Sequence, residues 1–153
     1  MPVLDIHCHF FPKAFLDEAR RPNTLQAKIE RRADGQEHLV CAGNFDHPLT
    51  PDFYVAERML ADMDAAGIEM AAISSAPPTL SYWAEPAAAR RLAPLLNESI
   101  AERVAAHPDH FLGLATLPMQ DLDAAQGEAK RAIHELKLHG VMIGSNFNGN
   151  NLD

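Results

Sequence analysis

Two histidines separated by one residue stand near the start of the chain, in the segment Asp5-Ile6-His7-Cys8-His9. In a strand, alternate side chains point to one face, so the Cα atoms of His7 and His9 would lie roughly 6.6 Å apart. Two imidazoles at that spacing can bind one metal ion. The alternative is that the pair is a polar strand end that binds no ligand, because eight histidines in 153 residues produce close pairs by chance. Cys8 points to the opposite face, and we expect it to pack as a small apolar residue.

An alternation of strands and helices surrounds the histidine pair and predicts how it is positioned. Periodicity and turn residues predict strands over 3–9, 68–75, 111–117 and 141–145, with helices over 51–66, 86–106 and 122–136. Gly67 and Gly140 end two helices, and Pro94 predicts a kink or a new start in another. Such alternation favours parallel pairing in a barrel or a doubly wound sheet. No glycine-rich phosphate loop follows the first strand, so a barrel is favoured, with the histidines at its catalytic end.

Residues 27–50 interrupt this alternation. Two short runs, Lys28 to Arg32 and Glu37 to Cys41, flank Asp34-Gly35, a dipeptide that favours a tight turn because both residues tolerate positive φ. We therefore predict a small β-hairpin inserted after the first strand, within a segment that is otherwise irregular as far as residue 50. The hairpin is either a cover over the site or a specific substrate contact.

Composition excludes several classes of protein. With 47% apolar and 22% charged residues the chain can bury a core, so we expect one folded domain over residues 1–153. A net charge of −8 argues against nucleic-acid binding and favours a small-molecule substrate. The first residues lack a basic leader, and no segment is apolar enough for a membrane span, so we expect a cytoplasmic protein. The two cysteines should then remain thiols.

Several segments together carry a resemblance to a known family. They are DIHCHFFP at the start, the ADG turn, MDAAGIEMAAIS, SYWAEP at 81–86, HFLGLATLPMQD at 110–121 and HGVMIGSNFNGNNLD at the end. In order and spacing the chain resembles the aminocarboxymuconate-semialdehyde decarboxylase-like branch of the amidohydrolase superfamily.

The resemblance implies a TIM-like (β/α)8 barrel that binds zinc, or another divalent transition metal, with His7 and His9 as two of the ligands. Zinc lowers the pKa of a bound water toward ~7, which provides a nucleophile at neutral pH. In decarboxylases of the family, attack on a conjugated carboxylated substrate precedes loss of carbon dioxide. In hydrolytic relatives it opens a lactone or amide. We expect decarboxylation of a small conjugated or aromatic acid, with hydrolysis as the alternative.

The chain departs from this family in length. A full barrel takes about 250 residues, whereas four strands are predicted here, so we expect only the N-terminal half of a barrel. The other ligands and the catalytic histidine that the resemblance implies belong to the absent half, and the chain alone should be inactive. Two explanations stay open: a piece of a longer enzyme, which we favour, or a homo-oligomer in which copies complete one another. A non-catalytic assembly subunit is a third possibility.

Candidate substrate contacts follow two of the predicted strands. Tyr82 and Trp83 come after the second strand and Asn146 after the fourth, so all three lie at the end where barrel enzymes react. The aromatic rings either flank a planar substrate or pack against the inserted hairpin, and Asn146 either reaches the pocket or makes a turn. The resemblance also implies a hairpin arginine that holds a substrate carboxylate, but Leu39 stands near its place, so this contact is missing unless Arg31 or Arg32 reaches the site.

Overall fold

The computed structural model describes residues 2–22, 25–42, 44–149 and 151. These residues form seven strands in two sheets and four α-helices, with short 3₁₀ turns at Pro51–Phe53 and Pro77–Leu80. The elements are β1 (Leu4–Phe10), α1 (Lys13–Ala19), β2 (Ala27–Arg31), β3 (Glu37–Cys41), β4 (Phe45–Pro48), α2 (Ala56–Ala66), β5 (Met70–Ser75), α3 (Pro86–Ala106), β6 (Phe111–Ala115), α4 (Leu122–His134) and β7 (Gly140–Val141). None of the described helices is long and apolar enough to cross a bilayer.

The larger sheet has the order β1-β5-β6-β7, and every neighbouring pair is parallel. The connections between these strands run through α2, α3 and α4 in turn, which is the repeat of a (β/α)8 barrel. The chain therefore forms a four-stranded half-barrel, as the alternation of strands and helices predicts. Because all four strands are parallel, their carboxyl ends lie along one edge of the sheet.

A core between the sheet and the helices fixes the middle strands. Ile73 on β5 and Phe111 on β6 are fully buried, packed with Met63 of α2 and Ile100 of α3. Burial of such side chains removes apolar area from water at both middle strands, which is the main stabilising contribution in folding. The edge strands are less covered: Leu4 and Ile6 on β1 are 44% and 74% exposed, and Val141 on β7 is 38% exposed.

The inserted segment forms a second, antiparallel sheet in the order β2-β3-β4. Its first two strands pair from Ala27↔Cys41 to Arg31↔Glu37 around a turn in which Gly35 has a φ of 88°, so the predicted hairpin is confirmed. The prediction of an otherwise irregular segment over residues 10–50 is wrong at α1 and β4. Both elements are stabilised by tertiary packing: α1 buries Phe15 and Leu16 in a core that it shares with the insertion and α3.

Other element boundaries differ from the sequence-based ones for local reasons. Gly67 ends α2 in the left-handed conformation, as predicted, but α2 begins at Ala56 because Pro51–Phe53 forms a 3₁₀ turn. The third helix continues across Pro94 without a new start. The fourth helix ends at His134 rather than at Gly140, and β7 spans two residues rather than five.

Candidate metal centre

The two imidazoles of β1 converge on one point. The Nε2 atoms of His7 and His9 lie 3.0 Å apart, and their ring centroids are 4.5 Å apart at an interplanar angle of 79°. Zinc–nitrogen bonds are about 2.0–2.1 Å long, so both nitrogens can reach a single ion placed between them. The two side chains face each other, and their geometry fits half of a metal-binding site.

A β-bulge in β1 adjusts the position of His7. Asp5 pairs with Ala71 and Cys8 with Ile73, so two residues of β1 oppose one residue of β5 between these pairs. Such an irregularity redirects side chains locally. After it, His9 returns to a regular pair with Ser74. The histidine pair thus includes one exposed ring, that of His7, and one half-buried ring, that of His9.

Ser74 contacts the far side of the His9 ring and was not among the predicted site residues. Its Oγ lies 2.9 Å from Nδ1 of His9, and the residue is 3% exposed. A signal was present in the sequence: Ser74 is a polar residue near the end of an apolar run, as His9 is near the end of the first strand. Two strands paired in parallel bring such positions together, but only the register of the pair identifies the partner.

Electrostatics around the pair favour a bound cation. Burial, and secondarily the neighbouring His7, lower the pKa of His9, so its ring is neutral at pH 7 and offers a lone pair. A cavity of about 320 Å³ lies between β1 and α2 beside His9 and Cys8, and three aspartates line it: Asp5, Asp52 and Asp62. The negative charge of these carboxylates attracts a metal ion.

Cys8 lies on the opposite face of β1, as predicted. Its side chain packs against the core between the sheet and the helices, and burial raises the pKa of its thiol. A protonated, partly buried thiol is a poor metal ligand. Cys41 is also a free thiol, buried in the insertion, where burial raises its pKa to about 11.

Within the described residues, no third side chain joins His7 and His9 to form a metal-binding group. Across the described part of the chain, no group of three or more His, Cys, Asp or Glu side chains is placed to hold a metal ion. His107 ends α3, and His110 follows it, with Nδ1 3.3 Å from the Glu69 carbonyl oxygen at the amino end of the sheet. The Gly113 amide donates to Nδ1 of His139, which directly precedes β7, so these histidines lie away from the carboxyl ends of the strands.

Tyr82 and Asn146 lie in loops at the carboxyl edge of the sheet. The amide of Gly144 donates to the hydroxyl of Tyr82 at 2.9 Å, and the Tyr82 ring packs edge-on against Phe147. The Oδ1 of Asn146 accepts from the Gly149 amide at 3.2 Å, which is a turn contact. Tyr82 thus ties the loop after β5 to the segment after β7, and its role toward a substrate stays a prediction.

Trp83 and the hairpin arginines are engaged with the insertion. The indole N–H of Trp83 donates to the Leu25 carbonyl at 2.7 Å, which is the packing contact that the sequence left open as an alternative to substrate binding. Leu39 is fully buried. Arg31 donates through Nε to the Gly35 carbonyl, and Arg32 pairs with Glu30 and Asp46; these contacts hold both arginines within the insertion.

Comparisons with known proteins show the family of the chain. A family model described as "Amidohydrolase" matches residues 4–153. The 2-amino-3-carboxymuconate-6-semialdehyde decarboxylase of Dictyostelium discoideum is 30% identical over 157 residues, which cover 98% of this chain and 42% of that protein. The gamma-resorcylate decarboxylase of Rhizobium radiobacter is 35% identical over 89 residues, covering 58% of this chain and 27% of that protein.

A solved structure supports the fold. The 5-carboxyvanillate decarboxylase of Novosphingobium aromaticivorans, complexed with manganese and 4-hydroxy-3-methoxy-5-nitrobenzoic acid, superimposes with a TM-score of 0.71 at 22% identity. The match covers 97% of this chain and 43% of that one. The chain therefore spans less than half the length of the relatives that it matches.

Proposed function

The chain belongs to the amidohydrolase family, and from this membership we propose that it supplies the first two metal ligands of a metal-dependent decarboxylase acting on a small conjugated or aromatic carboxylic acid. The observation that carries the proposal is the convergence of the His7 and His9 Nε2 atoms, 3.0 Å apart, near the carboxyl end of β1. Relatives named for decarboxylation of a carboxymuconate semialdehyde and of gamma-resorcylate support the reaction and the substrate class.

The residues of this chain have limited but definite roles in such a site. His7 and His9 hold the ion through Nε2, and the aspartates beside His9 add negative potential. When bound, the ion supplies Lewis-acid stabilisation of negative charge that develops on the substrate. Zinc is the metal we propose, because imidazole nitrogen suits it; manganese, present in the similar structure, is the second metal to test.

Tyr82, Trp83 and Asn146 complete the proposal as substrate contacts at the carboxyl edge of the sheet. Of these, Tyr82 is the best supported, since its half-buried ring joins two loops at that edge and therefore has a fixed position. Neither hairpin arginine is free to hold a substrate carboxylate in the arrangement described, because both are bonded within the insertion. The proposal also includes self-association, which would cover the exposed apolar side chains of the edge strands.

Metal binding tests the proposal directly. Isothermal titration of the chelator-treated protein with zinc and with manganese should give saturable binding that is lost when His7 and His9 are both changed to alanine. His110→Ala removes an exposed imidazole at the opposite end of the sheet and should bind as the wild type does. Unchanged affinity in the double variant would refute the site.

The reaction is tested separately with the metal-loaded chain to which the C-terminal half of a barrel is supplied in trans, because the chain alone is expected to be inactive. A decarboxylase is expected to release carbon dioxide from gamma-resorcylate (2,6-dihydroxybenzoate), and the double histidine variant is expected to release none. The family description "Amidohydrolase" favours hydrolysis as the second candidate, which hydrolysis of a lactone without carbon dioxide release would support. Metal binding with neither reaction, across both substrate types, would favour the non-catalytic assembly subunit.

A further inference from the structure

Ser74 lies directly behind one of the two imidazoles, on the neighbouring strand. We propose that Ser74 is a positioning residue, which fixes the tautomer and the ring orientation of His9 so that its Nε2 lone pair points at the shared site. The inference rests on the proposed metal role of His7 and His9. Ser74 would support the site indirectly from β5, a strand on which we place no metal ligand.

The ring nitrogens of His9 have separate partners. Nε2 faces His7 Nε2 at 3.0 Å, and Nδ1 faces Ser74 Oγ at 2.9 Å. A neutral imidazole carries one proton, so a lone pair at Nε2 requires the proton at Nδ1. Ser74 Oγ is then the acceptor of the Nδ1–H hydrogen bond. The hydroxyl proton of Ser74 has its own acceptor in the Cys8 carbonyl oxygen, at 3.5 Å.

The support for the two rings is unequal. The ring of His7 is exposed and contacts the ring of His9. The backbone amide of His7 donates to Asp5 Oδ1. His9 is half-buried and is held by a residue that is 3% exposed. Since β5 pairs with β1 on one side and β6 on the other, Ser74 is on a rigid element. Hydrogen bonds to the second nitrogen of a ligating histidine fix its orientation and raise its affinity for metal.

Ser75 offers a matched control for this proposal. It follows Ser74 on the same strand, is equally a serine and is 0% exposed. Its Oγ has no hydrogen-bond partner within the described residues, and strand alternation directs it to the other face of the sheet. Ser74→Ala and Ser75→Ala therefore remove the same atom from the same strand, and only the first removes a side-chain contact with His9, whereas the backbone contact of Ser75 with His9 is kept in both variants.

The first measurement needs no metal. Nitrogen-15 NMR of the imidazole rings, at pH 8 in the metal-free protein, reports which nitrogen of His9 carries the proton. The wild type and S75A should hold His9 in the Nδ1–H form, and S74A should give a mixture of tautomers. An unchanged His9 tautomer in S74A, or an equal change in S75A, would overturn the inference, whatever the metal does.

The second measurement separates this inference from the proposed function. Titration with zinc should give S74A a dissociation constant about 10- to 100-fold above that of the wild type, with S75A unchanged. If the wild type itself binds no zinc or manganese at His7 and His9, the proposed function fails while the tautomer result still decides the role of Ser74. If S74A shifts the tautomer and keeps full affinity, the positioning role toward metal is wrong.

Discussion

The middle and the edge of the parallel sheet differ in how far their side chains are buried. Five of the six residues of β5 are buried, and Phe111, Gly113 and Ala115 of β6 are buried as well. Along β1, only Phe10 is buried, and β7 has no buried residue. Both edge strands expose apolar side chains, of which Ile6 is the most exposed at 74%.

The middle strands and the edge strand β1 therefore differ in what they contribute to the protein. The middle strands supply the apolar burial that holds the fold together, whereas the paired imidazoles are on an edge strand, where a ligand can approach. Ser74 connects the middle of the sheet to its edge, because it belongs to the middle strand β5 and contacts the His9 ring on the edge strand β1. We therefore expect substitutions in the middle to change stability first, and substitutions at the edge to change metal binding first.

The largest effect is expected from a cavity in the middle. Phe111→Ala should lower the free energy of unfolding by about 3–5 kcal/mol, because Phe111 is fully buried among core side chains. Ile6→Ala, at the exposed edge, should change it by no more than about 0.5 kcal/mol. Urea unfolding of both variants measures the contrast, and similar losses would contradict the division between middle and edge.

Metal should stabilise the protein through the edge strand. At a metal concentration 100-fold above its dissociation constant, binding to the folded state alone adds about 2.7 kcal/mol to the free energy of unfolding. The gain should appear in the wild type and be missing in the variant with His7 and His9 changed to alanine, while the metal-free stabilities of the two proteins stay similar. Thermal unfolding with and without zinc measures both quantities; an equal gain in the two proteins would place the metal elsewhere.

A buried polar network should produce the next largest effect. Asn97 on α3 accepts from the Thr116 amide at 2.8 Å and donates to the Thr116 carbonyl and to Glu128. Asn97→Ala removes the hydrogen bonds to the buried amide and carbonyl of Thr116, which we expect to cost about 1–3 kcal/mol, whereas Glu128 keeps its contact with Arg131. Ser99→Ala, which removes a more exposed contact with the Leu95 carbonyl on the same helix, is the control and should be nearly neutral. Chemical denaturation measures the free energy of unfolding of both variants. An equal loss in the two variants would argue against the network.

The smallest effect is a pH dependence that arises at the edge. Burial lowers the pKa of His9 in the folded state, so the unfolded chain binds more protons between the folded and unfolded pKa values. Stability should therefore rise with pH through that window, which ends near the ordinary value of 6.5. His9→Gln should flatten this part of the metal-free stability profile. A profile as steep in His9→Gln as in the wild type would assign the dependence to another group.

The sequence predicted most where one residue determines a local conformation. Gly67 ends a helix with a φ of 70°, and Asp34-Gly35 makes the hairpin turn. The nearly unbroken apolar run before Pro77 predicts a strand covered on both faces, and β5 is such a strand. The alternation within β1 placed His7 and His9 together, with Cys8 on the opposite face.

Elements stabilised by distant contacts were not predictable in the same way. The helix α1 has no side-chain cap and follows Pro12, and its stability comes from burying Phe15 and Leu16 against α3 and the insertion. The strand β4 ends in a proline, which weakens the sequence signal for a strand. Ser74 could not be assigned to His9 without the register of β1 and β5, because 64 residues separate them in sequence.

The pairing of β1 with β5 has a consequence for the order of folding. Leu4 pairs with Met70, whereas Arg31 pairs with Glu37 across a tight turn. Closing the longer loop costs more chain entropy, so we expect the insertion to form early and to shorten the loop that β1 must close. The amides of β3 should then gain protection in pulsed hydrogen exchange before those of β1. On this view the histidine pair assembles late, and a metal ion captured by it would slow unfolding more than it speeds folding.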